Sequence, residues 1–272
     1  NIGIITHIGN SHLLGLNSLK GVLDVKSELI NNIRTNGVAI LPNGKHVKHW
    51  KGLRNDITFL TFGLDATASF FASNIKITKT GTSFSIESKY LTRTLHVKTA
   101  LLGNHNILNI LASFTAINEL NEDTEFFLES LKFFKNESQR LHLQSWINQS
   151  TLIDDSYNAN PDSVQAAIDV LAKFPGRRIL VLGDMKELGR YRKKFHKQIG
   201  GYAKTKGLDL LIGFGDLTKH SVESFGSSGI FFKSKAALKE FLCKEISKKD
   251  HVLLKGSRGM RMEQFINIGD NT

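Results

Sequence analysis

Two patterns of apolar and polar positions follow one another along the chain. In the first, Ile2–Ile5 is a short continuous apolar run that predicts a buried strand. Ser18 stands where an N-cap belongs, ahead of a helix predicted to about Ile33. Residues 36–100 are rich in Thr, Ser, Gly and β-branched side chains. Alternation in Phe84-Ser85-Ile86 and Leu95-His96-Val97 predicts several short strands joined by turns there. An amphipathic helix follows from about His105 to Leu120, with Ile107, Ile110, Leu111, Phe114 and Ile117 on one stripe.

From about Leu141 strands and helices alternate. Leu152–Ile153 ends a strand, and Pro161 opens a helix with Val164, Ala167, Ile168 and Leu171 on one stripe. Ile179–Leu182, Leu208–Ile212, Gly229–Phe232 and His251–Leu254 read as four more strands, with helical segments between most of them. Such alternation predicts a doubly wound α/β domain. At 272 residues the chain is long for one core and comfortable for two, so domains over 1–140 and 141–272 are expected. No internal repeat or low-complexity tract interrupts them.

Composition narrows the class without changing this picture. No apolar run approaches the roughly 18–20 residues that span a bilayer. The opening NIGIITHIG lacks the basic region and cleavage site of a secretory signal, and its abrupt strand suggests a fragment. Cys243 is the single cysteine, which excludes an internal disulfide framework and a multi-cysteine zinc site and favours the cytoplasm. Leu238, Phe241, Leu242 and Ile246 around it predict a half-buried thiol. The formal charge of +11 raises nucleic-acid binding. Its basic residues are spread, however, and no RNP, zinc-finger or basic-zipper pattern accompanies them. The expected partners are phosphorylated small molecules, with no nucleic acid.

Four constellations carry candidate chemistry. In Asp154–Ser163 (DDSYNANPDS) two carboxylates end a strand and a polar turn leads to Asn160 as N-cap. Ligands of open α/β sheets bind outside the carboxyl ends of strands, so this turn faces a crevice. Turn preference alone also accounts for residues of these types. Second, Asn106 and Asn109 in GNHNILN share one helix face, where carboxamides can donate and accept together as an adenine edge requires, or simply cap. Third, Lys26 projects from a largely apolar face between Val22 and Ile30, either snorkelling or held in a cleft. His12 lies in a loop just after the first strand. Fourth, Lys255-Gly256-Ser257-Arg258 directly follows the last strand with donors for carboxylate or phosphate. Gly183–Gly189 (GDMKELG) follows another strand and brings polar groups to the same sheet end.

The stretch LIDDSYNANPDSVQAAIDVLAKFPGRRILVLGDMKELG resembles the Mur ligase family, and within it the type that adds D-alanyl-D-alanine to UDP-N-acetylmuramoyl-tripeptide. The closing LLKGSRGMRME, the opening IGIITHIGNSHLLGLNSLKGVLDVKSELI and the segment GNHNILNILAS are similar to the same type. The resemblance runs from end to end. It implies a partial central ATPase domain followed by a Rossmann-like C-terminal domain, a cytoplasmic monomer, and ATP with Mg2+. ATP would phosphorylate the substrate carboxylate, and the amine would attack the acyl phosphate.

The resemblance also implies roles. His12 and a carbamylated Lys26 would hold magnesium, and Asn106 and Asn109 would face the adenine. Arg140 would reach nucleotide phosphates, and Asp155 the ribose or the contacts that close the domains. Tyr157 and Asn160 would flank the nucleotide. Asn158, Lys255, Ser257 and Arg258 would line the side of the incoming dipeptide. Lys26, His12, Arg140 and Asp155 are thus the catalytic set.

The chain departs from the family in places. No G-x-x-x-x-G-K-[ST] phosphate loop occurs, nor the glutamate expected before the first strand, nor a domain for the UDP moiety. His7 stands where the family usually has Asn. The expectation is a truncated central domain with a complete C-terminal domain, inactive by itself. A non-catalytic nucleotide-binding relic is the competing class, and another Mur or folylpolyglutamate-type ligase the competing member. A dinucleotide-binding dehydrogenase is disfavoured, because Asp-Asp-Ser occupies the place of G-x-G-x-x-G.

Overall fold

The computed structural model describes residues 1–11, 13–78, 80–134 and 137–268. By contacts the chain divides into two compact units, Asn1–Gly9 with Ser18–Lys135, and Asn10–Asn17 with Asn136–Thr272. Each has its own sheet and core.

The first unit opens with strand β1 (Ile2–Ile4); the short helix α1 (Leu13–Leu16) that comes next in sequence belongs to the second unit. Helix α2 (Leu19–Asn31), strand β2 (Val38–Pro42), helix α3 (Val47–Lys51) and strand β3 (Thr58–Gly63) follow. Then come strands β4 (Phe70–Thr78), β5 (Gly81–Glu87) and β6 (Leu95–Thr99), and helices α4 (Asn104–Glu119) and α5 (Thr124–Ser130). The strands lie side by side in chain order, β1 to β4 parallel and β4 to β6 antiparallel. Helices α2 and α3 carry the crossovers of the first two parallel pairs, residues 64–69 join β3 to β4, and turns suffice for β4 to β6. Ile107, Ile110, Leu111 and Phe114 of α4 pack with Ile40, Phe62, Phe70 and Ile86 of the sheet.

Local chemistry sets the helix starts. The Ser18 hydroxyl accepts from the Gly21 N–H and opens α2 as the sequence predicts. At the sheet edge β1 is shorter than expected: Ile4 is exposed and Ile5, beyond the strand, is buried. Successive side chains of an extended segment point to opposite faces, which puts the exposed Ile4 and the buried Ile5 on opposite sides.

The second unit continues with strands β7 (His142–Ser145) and β8 (Thr151–Asp155), helix α6 (Pro161–Leu171), strand β9 (Arg178–Gly183), helix α7 (Arg192–Thr205) and strand β10 (Leu210–Phe214). Helix α8 (Lys219–Phe225), strand β11 (Gly229–Phe232), helix α9 (Lys235–Glu245) and strand β12 (His251–Lys255) complete it. The sheet order is β11-β10-β9-β12-β8-β7, parallel except for β7. Both faces are covered, which is why these strands are almost wholly apolar. Leu152, Ile179, Val181, Ile212, Val252 and Leu254 meet Leu238 and Leu242 of α9 on one face. The alternate set, Ile153, Leu180, Leu182, Leu211 and Leu253, is equally buried on the other.

Two expectations are corrected here. Strand β10 begins at Leu210, not Leu208, because Gly207 (φ +71°) first turns the chain and the Leu208 N–H caps α7 through the Ala203 carbonyl. Cys243 is exposed, not half-buried. Leu238 and Leu242 define the buried stripe of α9, with Ile246 buried just beyond its end, and Cys243 lies about 100° around the helix from Leu242.

Adjacent glycines in α7 have opposite environments. A Cβ at Gly200 would lie 2.0 Å from the Ser221 carbonyl oxygen of α8, whereas one at Gly201 meets nothing within 4 Å. Gly200→Ala is therefore expected to lower stability by about 1–3 kcal/mol through overpacking. Gly201→Ala should raise it by up to about 1 kcal/mol through helix propensity. Urea unfolding of the two variants checks the opposite signs.

Candidate functional site

Strand β12 inserts between β8 and β9, and this order brings three loops together at the carboxyl ends of the strands. They are Asp154–Asn160, Gly183–Gly189 and Lys255–Arg261. In the parallel register Lys255 is the partner of Asp155 on one side and of Leu182 on the other. Side chains at paired positions project to the same face, so lysine and aspartate meet. The Lys255 Nζ lies 2.5 Å from Asp155 Oδ2 and also donates to the Asn158 carbonyl at 2.9 Å. Lys255 is only 2% exposed. It is a buried cation paired with a carboxylate.

Ser257 is equally committed. Its hydroxyl accepts from the Lys186 N–H at 2.7 Å and donates to the Ala159 carbonyl at 3.2 Å. Its own N–H donates to the Asp184 carbonyl. One serine thus fastens all three loops, and it is 5% exposed. Gly183 and Gly256 permit this closeness, since a Cβ at either would lie 2.6 Å from the Met262 side chain.

The polar turn is ordered by its own residues. Asn160 caps α6 by accepting from the Ser163 N–H at 2.8 Å, and the Ser163 hydroxyl accepts from the Asn160 N–H, with Pro161 in the first turn. Asp162 accepts from the Asn10 N–H at 2.6 Å. The Asn158 carboxamide oxygen accepts from the Ala159 N–H at 2.8 Å and the Arg258 N–H at 3.4 Å. The exposed aromatic face of Tyr157 receives two guanidinium groups, Arg140 at 4.4 Å and Arg258 at 5.9 Å from the ring centroid. Arg258 also donates to Gln139 Oε1 at 3.2 Å and Glu263 Oε1 at 3.0 Å. Arg140, Arg258, Tyr157 and Asn158 form the exposed part of the cluster.

Three further residues support the loops: Asp154 and Asp184, which lie within the motifs of the sequence, and His196, which lies in none. Asp154 is buried and accepts from the Gln139 and Ser156 N–H groups, each at 3.1 Å. Asp184 accepts from the Leu217 and Thr218 N–H groups, each at 3.0 Å, and burial raises its carboxyl above the usual range. His196 of α7 is fully buried; Nδ1 donates to the Arg192 carbonyl at 2.7 Å and Nε2 accepts from the Met185 N–H at 3.0 Å. Asp154 was legible as half of a doubled carboxylate. His196 sits in an ordinary polar helix, and no local pattern marks it.

In the first unit Lys26 is half-buried between Val22 and Ile30, and its Nζ donates to the His7 carbonyl at 2.6 Å. Burial lowers its pKa from the ordinary lysine value. Leu29, three residues beyond Lys26, is exposed, so the apolar face beside the lysine is narrower than its sequence neighbours suggest. Asn106 and Asn109 lie one turn apart at the start of α4, where Asn106 donates to the Leu102 carbonyl at 2.9 Å and Asn109 is exposed. His12 lies outside the described residues. Among the described residues no group of three or more His, Cys, Asp or Glu could hold a metal ion, and no helix is long and apolar enough to cross a membrane.

Two predictions follow from this packing. Lys255→Met leaves Asp155 and the Asn158 carbonyl without their buried partner, so a stability loss of about 3–5 kcal/mol is expected in urea unfolding. The second concerns His196, which burial pushes down to about 4 from an ordinary value of 6.5, with the His220 charge adding to the effect. The unfolded chain then binds the proton first as pH falls. Stability is full above about pH 6.5 and declines towards pH 4, by at most about 3 kcal/mol. His196→Gln should remove that part of the slope in unfolding measured from pH 7 to pH 4.

The model of the Mur ligase middle domain matches residues 1–117, and that of the Mur ligase glutamate ligase domain matches residues 139–258. UDP-N-acetylmuramoyl-tripeptide–D-alanyl-D-alanine ligase of Escherichia coli K12 is 33% identical over 267 residues, 97% of this chain and 58% of that protein. The Haemophilus influenzae enzyme of the same name is 34% identical over 274 residues, 98% of this chain and 58% of that protein. The chain therefore spans somewhat over half the length of these relatives. Among solved structures, MurF from Acinetobacter baumannii aligns with a TM-score of 0.89 at 24% identity, covering 97% of this chain and 58% of that one. MurF from Thermotoga maritima in complex with ADP aligns at 0.83 and 24% identity, covering 98% and 61%. These last two likenesses concern the fold. With consecutive middle and glutamate ligase domains along its length, the chain belongs to the Mur ligase family.

Proposed function

We propose that this chain is the ATP-using and amine-receiving part of a ligase that joins D-alanyl-D-alanine to UDP-N-acetylmuramoyl-tripeptide in the cytoplasm. The observation that carries the reading is the agreement of chain-long similarity to relatives bearing that name with the cluster at the carboxyl ends of β8, β9 and β12. The substrate carboxylate attacks the γ-phosphorus of ATP and ADP leaves. The dipeptide amine then attacks the acyl phosphate, and phosphate leaves as the amide forms.

The donor set suits such a nucleotide. Asn106 retains its carboxamide oxygen and Asn109 its whole side chain for the two-way hydrogen bonding of an adenine edge. The Arg140 guanidinium is exposed, and its planar fork of donors suits contact with phosphate. Asp155 is anchored by Lys255 with its carboxylate still partly accessible, in keeping with a ribose or closing contact. Tyr157 and Asn160 stand beside it on the same turn. Arg258 and Asn158 are the exposed members suited to the dipeptide, while Lys255 and Ser257 act beneath them.

Lys26 fits a carbamylated metal ligand. Carbon dioxide adds to a neutral amine, and burial favours the neutral form. The His7 carbonyl holds the nitrogen in place. A carbamate turns that nitrogen into a carrier of hard oxygen ligands suited to magnesium, with His12 as a companion. Bound there, the ion would supply charge neutralisation for phosphoryl transfer.

The test is phosphate release by the full-length protein. Release that requires ATP, the UDP-linked tripeptide and D-alanyl-D-alanine together is expected. Release driven by a single amino acid instead would reassign the substrate, and none at all would favour a non-catalytic protein. Lys26→Ala should lower the rate by about 100-fold or more, with partial recovery in short-chain carboxylates. A fully active variant would remove Lys26 from the metal site.

A further inference from the structure

Arg140 occupies an unusual stretch of backbone. The residues on either side of it, Gln139 and Leu141, have φ of +65° and +51°. A non-glycine residue in this left-handed region is strained, and leucine has no side-chain hydrogen bond to offset the strain. Two such residues flanking a third persist only where the surroundings hold them. Here the holders are the paired carboxylates at the end of β8. Asp154 Oδ2 accepts from the Gln139 N–H at 3.1 Å, and Asp155 Oδ1 accepts from the Leu141 N–H at 3.2 Å. The Gln139 carbonyl accepts in turn from the Tyr157 N–H at 3.1 Å, and the Gln139 side chain accepts from Arg258.

The two carboxylates are not equivalent. Asp155 is shared with Lys255 and reaches the surface. Asp154 is 3% exposed, and both of its oxygens accept backbone N–H groups: Oδ1 holds Ser156 at the start of the polar turn, and Oδ2 holds Gln139. One buried side chain therefore ties the segment carrying Arg140 to the turn carrying Tyr157, on whose ring the Arg140 guanidinium lies. Neither bond is explained by the stability of the strand, because both donors lie outside it.

We propose that Asp154 is a positioning residue for the ligation reaction: with Asp155 it clamps the left-handed backbone on both sides of Arg140 and so sets where that guanidinium stands. The inference rests on the reading above, in which Arg140 contacts nucleotide phosphates. A carboxylate suits the task because it accepts in two directions at once. A carboxamide keeps one acceptor and turns a donor towards the other N–H.

The experiment is a double-mutant cycle in the full-length protein, with ATP- and D-alanyl-D-alanine-dependent phosphate release as readout. Arg140→Ala is expected to lower kcat by about 100-fold. Asp154→Asn should lower kcat by about tenfold, in line with misplacement of a reacting-site group, and leave the KM for D-alanyl-D-alanine unchanged. In the Arg140→Ala background Asp154→Asn should then change kcat by less than about twofold, since it acts through the missing side chain. An equal loss in both backgrounds overturns the positioning role while leaving the reading of Arg140 intact. No loss on Arg140→Ala overturns that reading, and this inference with it.

Where Asp154→Asn does not fold, an ester bond replaces the amide at position 139. Lactic acid at that position, compared with Gln139→Ala, deletes only the N–H that Asp154 holds and leaves the carboxylate in place. The ester should reproduce the loss of kcat, and an ester as active as Gln139→Ala overturns the proposal.

Discussion

The organisation of the second unit depends on one desolvated charge pair. Lys255 and Asp155 are partners in the parallel register of β12 and β8, so sheet pairing itself sets their side chains beside each other. An ammonium at 2% exposure is tolerable only with charged and polar acceptors in place, and it finds the Asp155 carboxylate and the Asn158 carbonyl. The Asn158 contact pulls the polar turn down onto the end of β12. What remains exposed above it, Tyr157, Arg140, Arg258 and Asn158, is positioned by what is buried below.

Around that pair the loops are held by backbone hydrogen bonds to side chains. Asp154 takes two N–H groups, Asp184 two, His196 one, and the Ser257 hydroxyl joins two loops. Strand ends leave backbone donors that must be satisfied, and short acidic or hydroxyl side chains reach them without long flexible stems. Such a platform loses little freedom when a ligand arrives, which favours binding and catalysis alike. It also explains why motif residues with obvious ligand chemistry, Lys255 and Ser257, lie underneath the surface: their donors and acceptors are already engaged.

Much of this was legible in the sequence, for physical reasons that differ by residue. The Ser18 and Asn160 caps, Pro161 in a first turn and the stripes of α4 and α6 are local, and local chemistry was enough to place them. The doubly covered strands of the second unit announced themselves as continuous apolar runs. Cys243 and Leu29 escaped, because a neighbour's hydrophobicity does not say on which side of the stripe a residue falls. His196 escaped too, since its partner is a main-chain N–H eleven residues earlier that carries no sequence signal.

By itself the sequence determined the elements, the family to which they belong and the residue types available at three strand ends. Only the tertiary structure decided which of those residues are buried and which stand exposed at the sheet end. Asp155 and Lys255 are 100 positions apart, and Lys186 and Ser257 are 71 apart. They meet because β12, last in the chain, takes a place between β8 and β9. Strand order arises from non-local burial of two apolar faces and cannot be read from any one segment. That insertion buries the lysine and the serine of the closing motif and engages both with neighbouring loops, while Arg140 and Arg258 stay exposed.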